Sequence, residues 1–309
     1  MLHARLLTRL KQKKAQLDAL RPLPASIVRR LNEELAVEWI YNSNAIEGNT
    51  LTLRETRLIL ETGITIGGKS LREHFEVINH QKAIDYVHSL VGDEMPFTAF
   101  HVRQLHNLVL ENIDNENAGQ YRKVAVRIAG ARHTPPDSWE VVRLMNEWGD
   151  WLNGIATERH PVERAALAHH RLVAIHPFID GNGRTARLVM NLLLMREGYP
   201  PTIIMKVNRR QYYRVLAQAD RGNKPPLVNF VGRAVERSLT LYLEGSTPRT
   251  EPPSSEEAWI LLRDAAQEVS YSQEYLSLLA RSGRLEAVKR GRKWYTTRRA
   301  IEKYQQSLS

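Results

Sequence analysis

Apolar residues recur at helical spacing along most of the chain. Apolar positions separated by three or four residues mark the face that an amphipathic helix turns toward a core. This pattern covers residues 1–20, 26–46, 51–61, 70–90, 97–112, 138–153, 161–175, 184–197, 208–220 and 225–243. Few alternating β-branched runs interrupt these segments, so the sequence predicts a mainly α protein.

One stretch departs from the helical pattern. Residues 122–133 alternate between polar and apolar positions in places and contain a turn at Gly130. This pattern predicts a short β-hairpin. Because isolated hairpins are only marginally stable, we expect it to pack on the helical body.

The composition changes after Glu244. Residues 245–255 are rich in Gly, Pro, Ser and Thr, which indicates a linker, and residues 256–309 then form a separate small module. The expected elements of this module are helices over 256–269 and 271–280, a hairpin over 285–296 with a basic tip at 290–292, and a helix that begins near Thr297.

Charge and cysteine content narrow the classes of function. The 309 residues include 44 Lys and Arg against 34 Asp and Glu, a net charge of +10 that favours anionic partners such as nucleotides or nucleic acid. The 0 cysteines exclude disulfides, thiolate metal sites and cysteine nucleophiles. No apolar run reaches the roughly 18 residues that span a bilayer, so we expect a cytoplasmic protein without a membrane partner.

The loop at residues 176–187, HPFIDGNGRTAR, joins two predicted helices. Gly181 and Gly183 allow successive backbone N–H groups to converge at a helix N-terminus, where the helix dipole attracts an anion. Arg184 and Arg187 lie on one helix face and offer planar donors to phosphate. The loop therefore predicts a phosphate site rather than only a tight turn.

Two further side chains of this loop add chemistry to the phosphate site. Asp180 offers the hard oxygen ligand that Mg²⁺ prefers. His176 has an ordinary pKa suited to taking a proton near neutrality. A base, a metal ligand and an anion site thus lie within twelve residues of sequence.

Residues 176–187 resemble the Fic family motif, H-x-F-x-D/E-G-N-G-R-x-x-R, at every specified position, and the resemblance extends over about residues 26–243. It implies a Fic-type helical bundle with a short β-hairpin flap. It also implies a protein adenylyltransferase that transfers AMP from ATP to a Ser, Thr or Tyr hydroxyl of an unidentified protein target. Pyrophosphate would be released, and auto-AMPylation is expected.

The resemblance assigns a role to each matching residue. His176 would deprotonate the incoming hydroxyl, with Arg184 as the second catalytic residue, and Asp180 would hold Mg²⁺. The expected nucleotide-binding residues of the motif are Asp180, Gly181, Asn182, Gly183, Arg184 and Arg187.

A second segment, Ser43-Asn44-Ala45-Ile46-Glu47-Gly48, precedes the motif. By its residues alone it is a helix end with a surface glutamate, since Gly48 is placed for a left-handed cap. It also resembles the family's inhibitory helix, S/T-x-x-x-E-G/N, here around residues 32–48. That resemblance implies that Ser43 and Glu47 are inhibitory residues and that Glu47 pairs with Arg187 near the γ-phosphate position.

Two more regions resemble parts of the family's substrate sites. Residues 208–213 are similar to the segment that shelters adenine, which places Tyr212 and Tyr213 there. Because the two rings point in different directions on a helix, at most one of them is expected to stack on the base. The hairpin at 122–134 would be a flap that aligns a target segment by strand addition, or else a purely structural hairpin.

The C-terminal module resembles a winged helix of the excisionase type. From Ser270 to Ser309 there are nine Lys or Arg and three Asp or Glu, and basic residues beside Trp294 and Tyr295 suit contact with a DNA backbone. Docking to a protein or to a partner subunit is the alternative. The sequence leaves a homodimer open, although related proteins often dimerise.

The expected domains are an N-terminal helix at 1–25, the Fic domain at 26–244, the linker at 245–255 and the winged-helix-like module at 256–309. Two other functions remain open for the same residues. One is a DNA-binding regulator that senses nucleotide without turnover. The other is a hydrolase that removes AMP from a modified protein.

Overall fold

The computed structural model describes residues 1–93, 95–128, 133–246, 259–269, 271–282, 284–291 and 293–306. The chain divides into two compact units, Met1–Thr247 and Pro248–Ser309. Each unit has its own cluster of buried apolar side chains. We refer to them as unit 1 and unit 2.

Unit 1 is helical, as its sequence pattern predicts. Its α-helices are α1 (Ala4–Ala19), α2 (Ala25–Glu47), α3 (Leu53–Thr62), α4 (Leu71–Val91), α5 (Ala99–Leu110), α6 (Val141–Asn153), α7 (Pro161–Ile175), α8 (Asn182–Arg196), α9 (Arg209–Asp220) and α10 (Pro225–Ser246). Short 3-10 turns occupy 138–140, 155–158 and 206–208. The mainly α fold class is confirmed.

Local sequence signals set several helix ends. The first turns of α3 and α4 carry capping boxes, Thr52 with Glu55 and Ser70 with Glu73, in which side chain and backbone satisfy each other's hydrogen bonds. Helix α2 ends at Gly48, whose φ of 109° is readily adopted only by glycine. Gly48 fixes where the loop after α2 begins, and the capping box of α4 fixes where the loop before that helix ends.

Helix α8 is buried and packs against α2, α4, α5 and α7. Helix α10 packs against α1, α2, α7 and α9. The N-terminal helix is part of this body, since Leu6, Leu10 and Leu17 are buried in the same apolar cluster as the residues of α8. The packing holds the start of α8 and the end of α2 rigidly within unit 1.

The hairpin expected over 122–133 is not present as a pair of strands in the described residues on either side of its turn. Residues 122–128 and 133–137 run without strand pairing, and residues 129–132, including Gly130, lie outside the described residues. The Arg122 guanidinium takes the place of cross-strand bonds, because it donates to the carbonyls of Val124 and Pro136. The buried Arg122 side chain therefore ties the two sides of the segment together, and His133 and Ser138 add bonds to the carbonyls of Ala174 and Lys123.

The described residues of unit 2 form a three-stranded antiparallel sheet and three helices. Its elements are β1 (Ile260–Leu261), α11 (Leu262–Glu268), α12 (Gln273–Arg281), β2 (Ala287–Arg290), β3 (Lys293–Thr296) and α13 (Arg298–Gln306). The sheet order is β1-β3-β2, with Val288 opposite Tyr295. The order of two helices, the β2–β3 hairpin and a last helix is the one that the sequence pattern predicts.

Two expected boundaries in this region differ from the structure. Residues 260–261 are a strand paired with 295–296 rather than the middle of a helix, because the edge of β3 supplies backbone partners there. Helix α10 continues through Gly245 to Ser246, so the start of the expected linker is helical, and residues 247–258 lie outside the described residues. None of the described helices has both the length and the apolar character needed to cross a membrane.

Candidate active site

The loop between α7 and α8 borders a cleft of about 590 Å³ in unit 1. This volume is typical of small-molecule sites. Apart from the Arg187 side chain, the predicted catalytic and nucleotide-binding residues line it, together with Glu47 from α2 and Asp220 from α9. The structure thus brings residues far apart in sequence to one cavity.

His176 caps α7 in the left-handed conformation, with φ of 50°. Its Nδ1 lies 3.3 Å from the Val173 carbonyl, which can only accept, so Nδ1 carries the proton and Nε2 is left as an acceptor. Burial is the largest influence on the ring and lowers the pKa of His176, while the Val173 carbonyl opposes that shift. The imidazole is therefore neutral near pH 7 and available as a base.

Arg122, which the motif does not include, holds His176 in place. Its Nε donates to the His176 carbonyl at 2.8 Å, and its backbone N–H donates to the Pro177 carbonyl at 2.9 Å. A left-handed non-glycine residue costs about 1–2 kcal/mol, and these two bonds stabilise the backbone there. Nothing in the sequence near Arg122 indicated this role.

The N-terminus of α8 offers backbone donors to the cleft. Gly181 precedes the helix with φ of 75°, and the first amides of any α-helix lack intrahelical acceptors. The Asn182 side chain has a task other than the expected one. Its Oδ1 accepts from the Phe178 N–H at 3.0 Å and its Nδ2 donates to the Phe178 carbonyl at 2.8 Å. An anion would therefore meet the backbone of this residue.

Asp180 lies within a network of four charged side chains. Its Oδ2 is 2.5 Å from Arg72 Nη2 and 3.4 Å from Arg184 Nη2, and Arg184 Nη1 is 3.1 Å from Glu76 Oε1. Burial alone would raise the pKa of Asp180, but Arg184, the Gly181 amide and Arg72 outweigh it and lower that pKa. The carboxylate is therefore ionised, as a metal ligand must be.

Arg187 is held by the end of α2. Its Nη1 lies 2.8 Å from Glu47 Oε1, its Nε donates to Ser43 Oγ at 3.0 Å and its Nη2 donates to the Ser43 carbonyl at 2.8 Å. The side chain is buried, with 2% exposure of the residue. Burial would lower the pKa of Arg187, but Glu47 raises it above its ordinary value. The expected pairing of Glu47 with Arg187 is present, and the structure adds two contacts between Ser43 and Arg187.

Glu47 also lies against the backbone of the motif. A Cβ added at Gly183 would overlap Glu47 Oε1, so the glycine leaves the space that this carboxylate fills. The carboxylate lines the cleft at the point where the amides of α8 begin. A negative group already occupies part of the expected anion site.

Tyr212 and Tyr213 both line the cleft but differ in environment. Tyr212 is fully buried, and its hydroxyl lies 2.9 Å from His169 Nε2. Tyr213 is 39% exposed, and the guanidinium carbon of Arg209 lies 5.0 Å from its ring centroid. Arg209 also donates to the Ile46 carbonyl at 2.7 Å, which joins this side of the cleft to α2.

Comparison with known proteins agrees with the geometry. Residues 96–194 match the Fic/DOC family. A Fic domain-containing signaling protein from Bacteroides thetaiotaomicron shares 33% identity with this chain at a TM-score of 0.73, over 77% of this chain and 97% of its own. The chain belongs to the Fic/DOC family. Fic-1 from C. elegans shares 37% identity at a TM-score of 0.71, over 78% of this chain and 72% of that one.

Curated relatives of this Fic chain carry a functional name. Protein adenylyltransferase Fic of Drosophila willistoni is 43% identical over 243 residues, which cover 78% of this chain and 48% of the relative. The chain thus spans about half the length of the curated relatives it matches.

Proposed function

We propose that this Fic protein is an adenylyltransferase that transfers AMP from ATP to a hydroxyl of a protein. The observation that carries the proposal is the single cleft in which His176, Asp180 and the amides that open α8 lie together. Similarity to proteins named adenylyltransferases supports the choice of reaction. Transfer from a nucleotide needs mainly positioning and charge stabilisation, and the cleft supplies both.

His176 would act on the target hydroxyl as a general base. Its Nε2 takes the hydroxyl proton while the oxygen attacks the α-phosphorus, and the bond from that phosphorus to the bridging oxygen breaks to release pyrophosphate. A positioned base contributes about 10²–10⁴-fold to such a reaction. The amides of α8 and the Arg184 guanidinium would stabilise the phosphate oxygens as charge develops.

Asp180 would hold Mg²⁺ together with the phosphates of ATP. Mg²⁺ is commonly held by one or two carboxylates and substrate phosphate oxygens, so one ionised carboxylate at the phosphate site fits it. In the described part of the chain, no group of three or more His, Cys, Asp or Glu side chains is placed to hold a metal by itself. When bound, the ion would neutralise phosphate charge.

The contact between Glu47 and Arg187 would keep the enzyme inactive. Glu47 lies against Nη1 of Arg187, so a γ-phosphate could pair with this nitrogen only by displacing the carboxylate, which also repels an anion from the same place. ATP would then bind in a pose that does not place its α-phosphorus in line with the hydroxyl. Removing the carboxylate would leave Nη1 of Arg187 open to a phosphate oxygen, while the two contacts with Ser43 remain.

Intact mass spectrometry after incubation with ATP and Mg²⁺ tests the proposal and the inhibition together. We expect Glu47→Gly to gain the mass of one or more AMP moieties, with much less adduct on the wild type. The matched control is Glu47→Gly combined with His176→Ala, which should bind ATP and gain nothing. Equal modification of wild type and Glu47→Gly would contradict the inhibitory role.

Two rival functions predict different outcomes. If the wild type is a hydrolase that removes AMP, the Glu47→Gly variant would keep its AMP adduct. Added wild-type protein would then remove AMP from that modified variant. A nucleotide sensor would bind ATP and form no adduct in any variant, even with a cell extract as the source of targets. The second result would overturn the transferase proposal.

We also propose that unit 2 contacts a DNA backbone. Lys289 Nζ lies 6.0 Å from the centroid of the Trp294 ring, and the Arg290 guanidinium lies 5.5 Å from the centroid of the Tyr295 ring. Both cations therefore lie against aromatic rings of the β2–β3 hairpin. Such a basic hairpin suits contact with phosphates without reading bases. The alternative is that unit 2 docks to a protein, including a second copy of the chain. For the location of the whole protein, we continue to expect the cytoplasm.

A further inference from the structure

A histidine outside the motif lies directly beneath the catalytic loop. His106, on α5, is 0% exposed and stacks face to face on Phe178, with ring centroids 3.6 Å apart and planes 2° apart. Phe178 is the motif residue whose backbone N–H and carbonyl are both bound by the Asn182 side chain. The ring of His106 is therefore fixed in position by its neighbours.

Hydrogen bonds fix the tautomer of His106 as well. Its Nδ1 lies 2.9 Å from the Gly119 N–H, which can only donate, and its Nε2 lies 2.9 Å from the Asp180 carbonyl, which can only accept. Nε2 must therefore carry the proton, and its N–H donates a hydrogen bond to the Asp180 carbonyl. Burial, which lowers the pKa of His106 to about 4, keeps the ring neutral and the arrangement unchanged near pH 7.

This bond determines the orientation of the peptide between Asp180 and Gly181. In a trans peptide the carbonyl and the N–H point in opposite directions. With the Asp180 carbonyl bound inward to His106, the Gly181 N–H points away from α5, where it now donates to Asp180 Oδ1 at 2.6 Å. A Cβ at Gly181 would lie 3.2 Å from the His106 ring, so the loop rests closely on it.

We propose that His106 is a positioning residue that keeps the Asp180–Gly181 peptide turned with its N–H toward the phosphate site. Without the Nε2–H donor, a glycine-flanked peptide can rotate, since glycine populates both signs of φ. Rotation would direct the Asp180 carbonyl oxygen toward the bound anion in place of a donor. His106 would thus determine phosphate affinity without touching the nucleotide. The inference rests on the proposed nucleotide site.

Two substitutions of similar size separate this role from simple packing. In His106→Gln the terminal amide reaches the position of Nε2 and can donate to Asp180. In His106→Asn the amide reaches only the position of Nδ1, near Gly119. His106→Phe keeps the stacking on Phe178 and loses both hydrogen bonds, and it serves as the second test if His106→Asn does not fold.

The measurement is calorimetric titration of the full chain with ADP and, separately, with adenosine, which has the base but no phosphate. A hydrogen bond to a charged group contributes about 1.5–3 kcal/mol. We therefore expect His106→Asn and His106→Phe to weaken ADP binding about tenfold or more. Adenosine affinity should stay at the wild-type value, and His106→Gln should restore ADP affinity.

Other results would overturn the inference. Equal weakening of ADP and adenosine would show general loosening of the cleft, and unchanged ADP affinity in both variants would show that the peptide needs no such donor. Failure of the wild type to bind ADP would contradict the phosphate site on which the inference depends. The proposed AMP transfer is judged separately by the Glu47→Gly adduct, so ADP binding that responds to His106 without any adduct would leave this inference standing.

Discussion

The protonation state of His176 follows from one hydrogen bond and its burial. The Val173 carbonyl fixes the proton on Nδ1, and burial lowers the pKa of the ring. Glu47 raises that pKa, so its removal in Glu47→Gly lowers the pKa further. A base with a lowered pKa is active over a wider acidic range than an ordinary imidazole.

We therefore predict the pH dependence of AMP transfer by Glu47→Gly. Protonation of His176 removes the base, so the rate should fall with decreasing pH through an apparent pKa below about 6.5, the ordinary imidazole value, and stay level from about pH 7 to 8. Single-turnover adduct formation followed by mass spectrometry across this range gives the profile. An acid limb centred at or above neutrality would contradict the assignment of His176 as a buried base.

At this scale, the motif predicted which residues meet, but not what positions them. His176, Asp180 and Arg187 lie within one short segment, so their spacing was visible in the sequence. Arg122 and His106 act on the same loop from 54 and 74 residues away. In the sequence, nothing near a single histidine or arginine indicates which distant carbonyl its side chain will bind.

Between elements, Glu73 joins the first turn of α4 to the loop after α2. Its Oε2 accepts from the Ser70 N–H at 3.0 Å, and its Oε1 accepts from the Thr50 N–H at 2.8 Å. Burial alone would raise the pKa of Glu73, but the bonds from Thr50 and Ser70 outweigh it and lower it to about 2. Because Thr50 follows Glu47 closely, this carboxylate also steadies the end of α2 that contacts Arg187.

We predict that Glu73→Gln lowers the free energy of unfolding by about 1 kcal/mol at pH 7, the usual value of a helix cap on a partly exposed residue. The pKa in the folded protein is below the unfolded value of about 4.3, so the contribution is complete above that pH and is lost as pH falls toward about 2. Urea unfolding at pH 7 and pH 3 measures the difference. Glu61→Gln, an exposed change on α3, is the control, and an equal loss there would contradict the capping explanation.

The helices were predictable, whereas the segment over 122–137 was not. Periodicity and capping residues are local, so Ser70 with Glu73 and Gly48 indicate helix ends within a turn or so. The alternation at 122–128 suggested strands, but the backbone there is held by the Arg122 side chain and has no strand pairing in its described part. Side-chain bonds to distant backbone override a short alternating pattern.

For the whole molecule, the decisive feature is that each unit contains its own core. The cluster of unit 1 includes the helices around the cleft, and that of unit 2 includes Leu262, Leu276 and Ile301. Every residue assigned to the cleft lies in unit 1. The proposed AMP transfer and the proposed DNA contact should therefore be separable by cutting the chain between the units.

We predict that residues 1–247 carrying Glu47→Gly still transfer AMP, while duplex DNA binds the full chain and not this fragment. The full chain with His176→Ala serves as the acceptor, so that a modified hydroxyl in unit 2 remains available, and the full-length Glu47→Gly protein is the reference. Adduct mass on the acceptor reports transfer, and DNA titration at low salt, where phosphate contacts are strongest, reports binding. A folded fragment that binds ADP yet modifies nothing would show that unit 2 takes part in the reaction. DNA binding retained by the fragment would place the basic contact surface in unit 1.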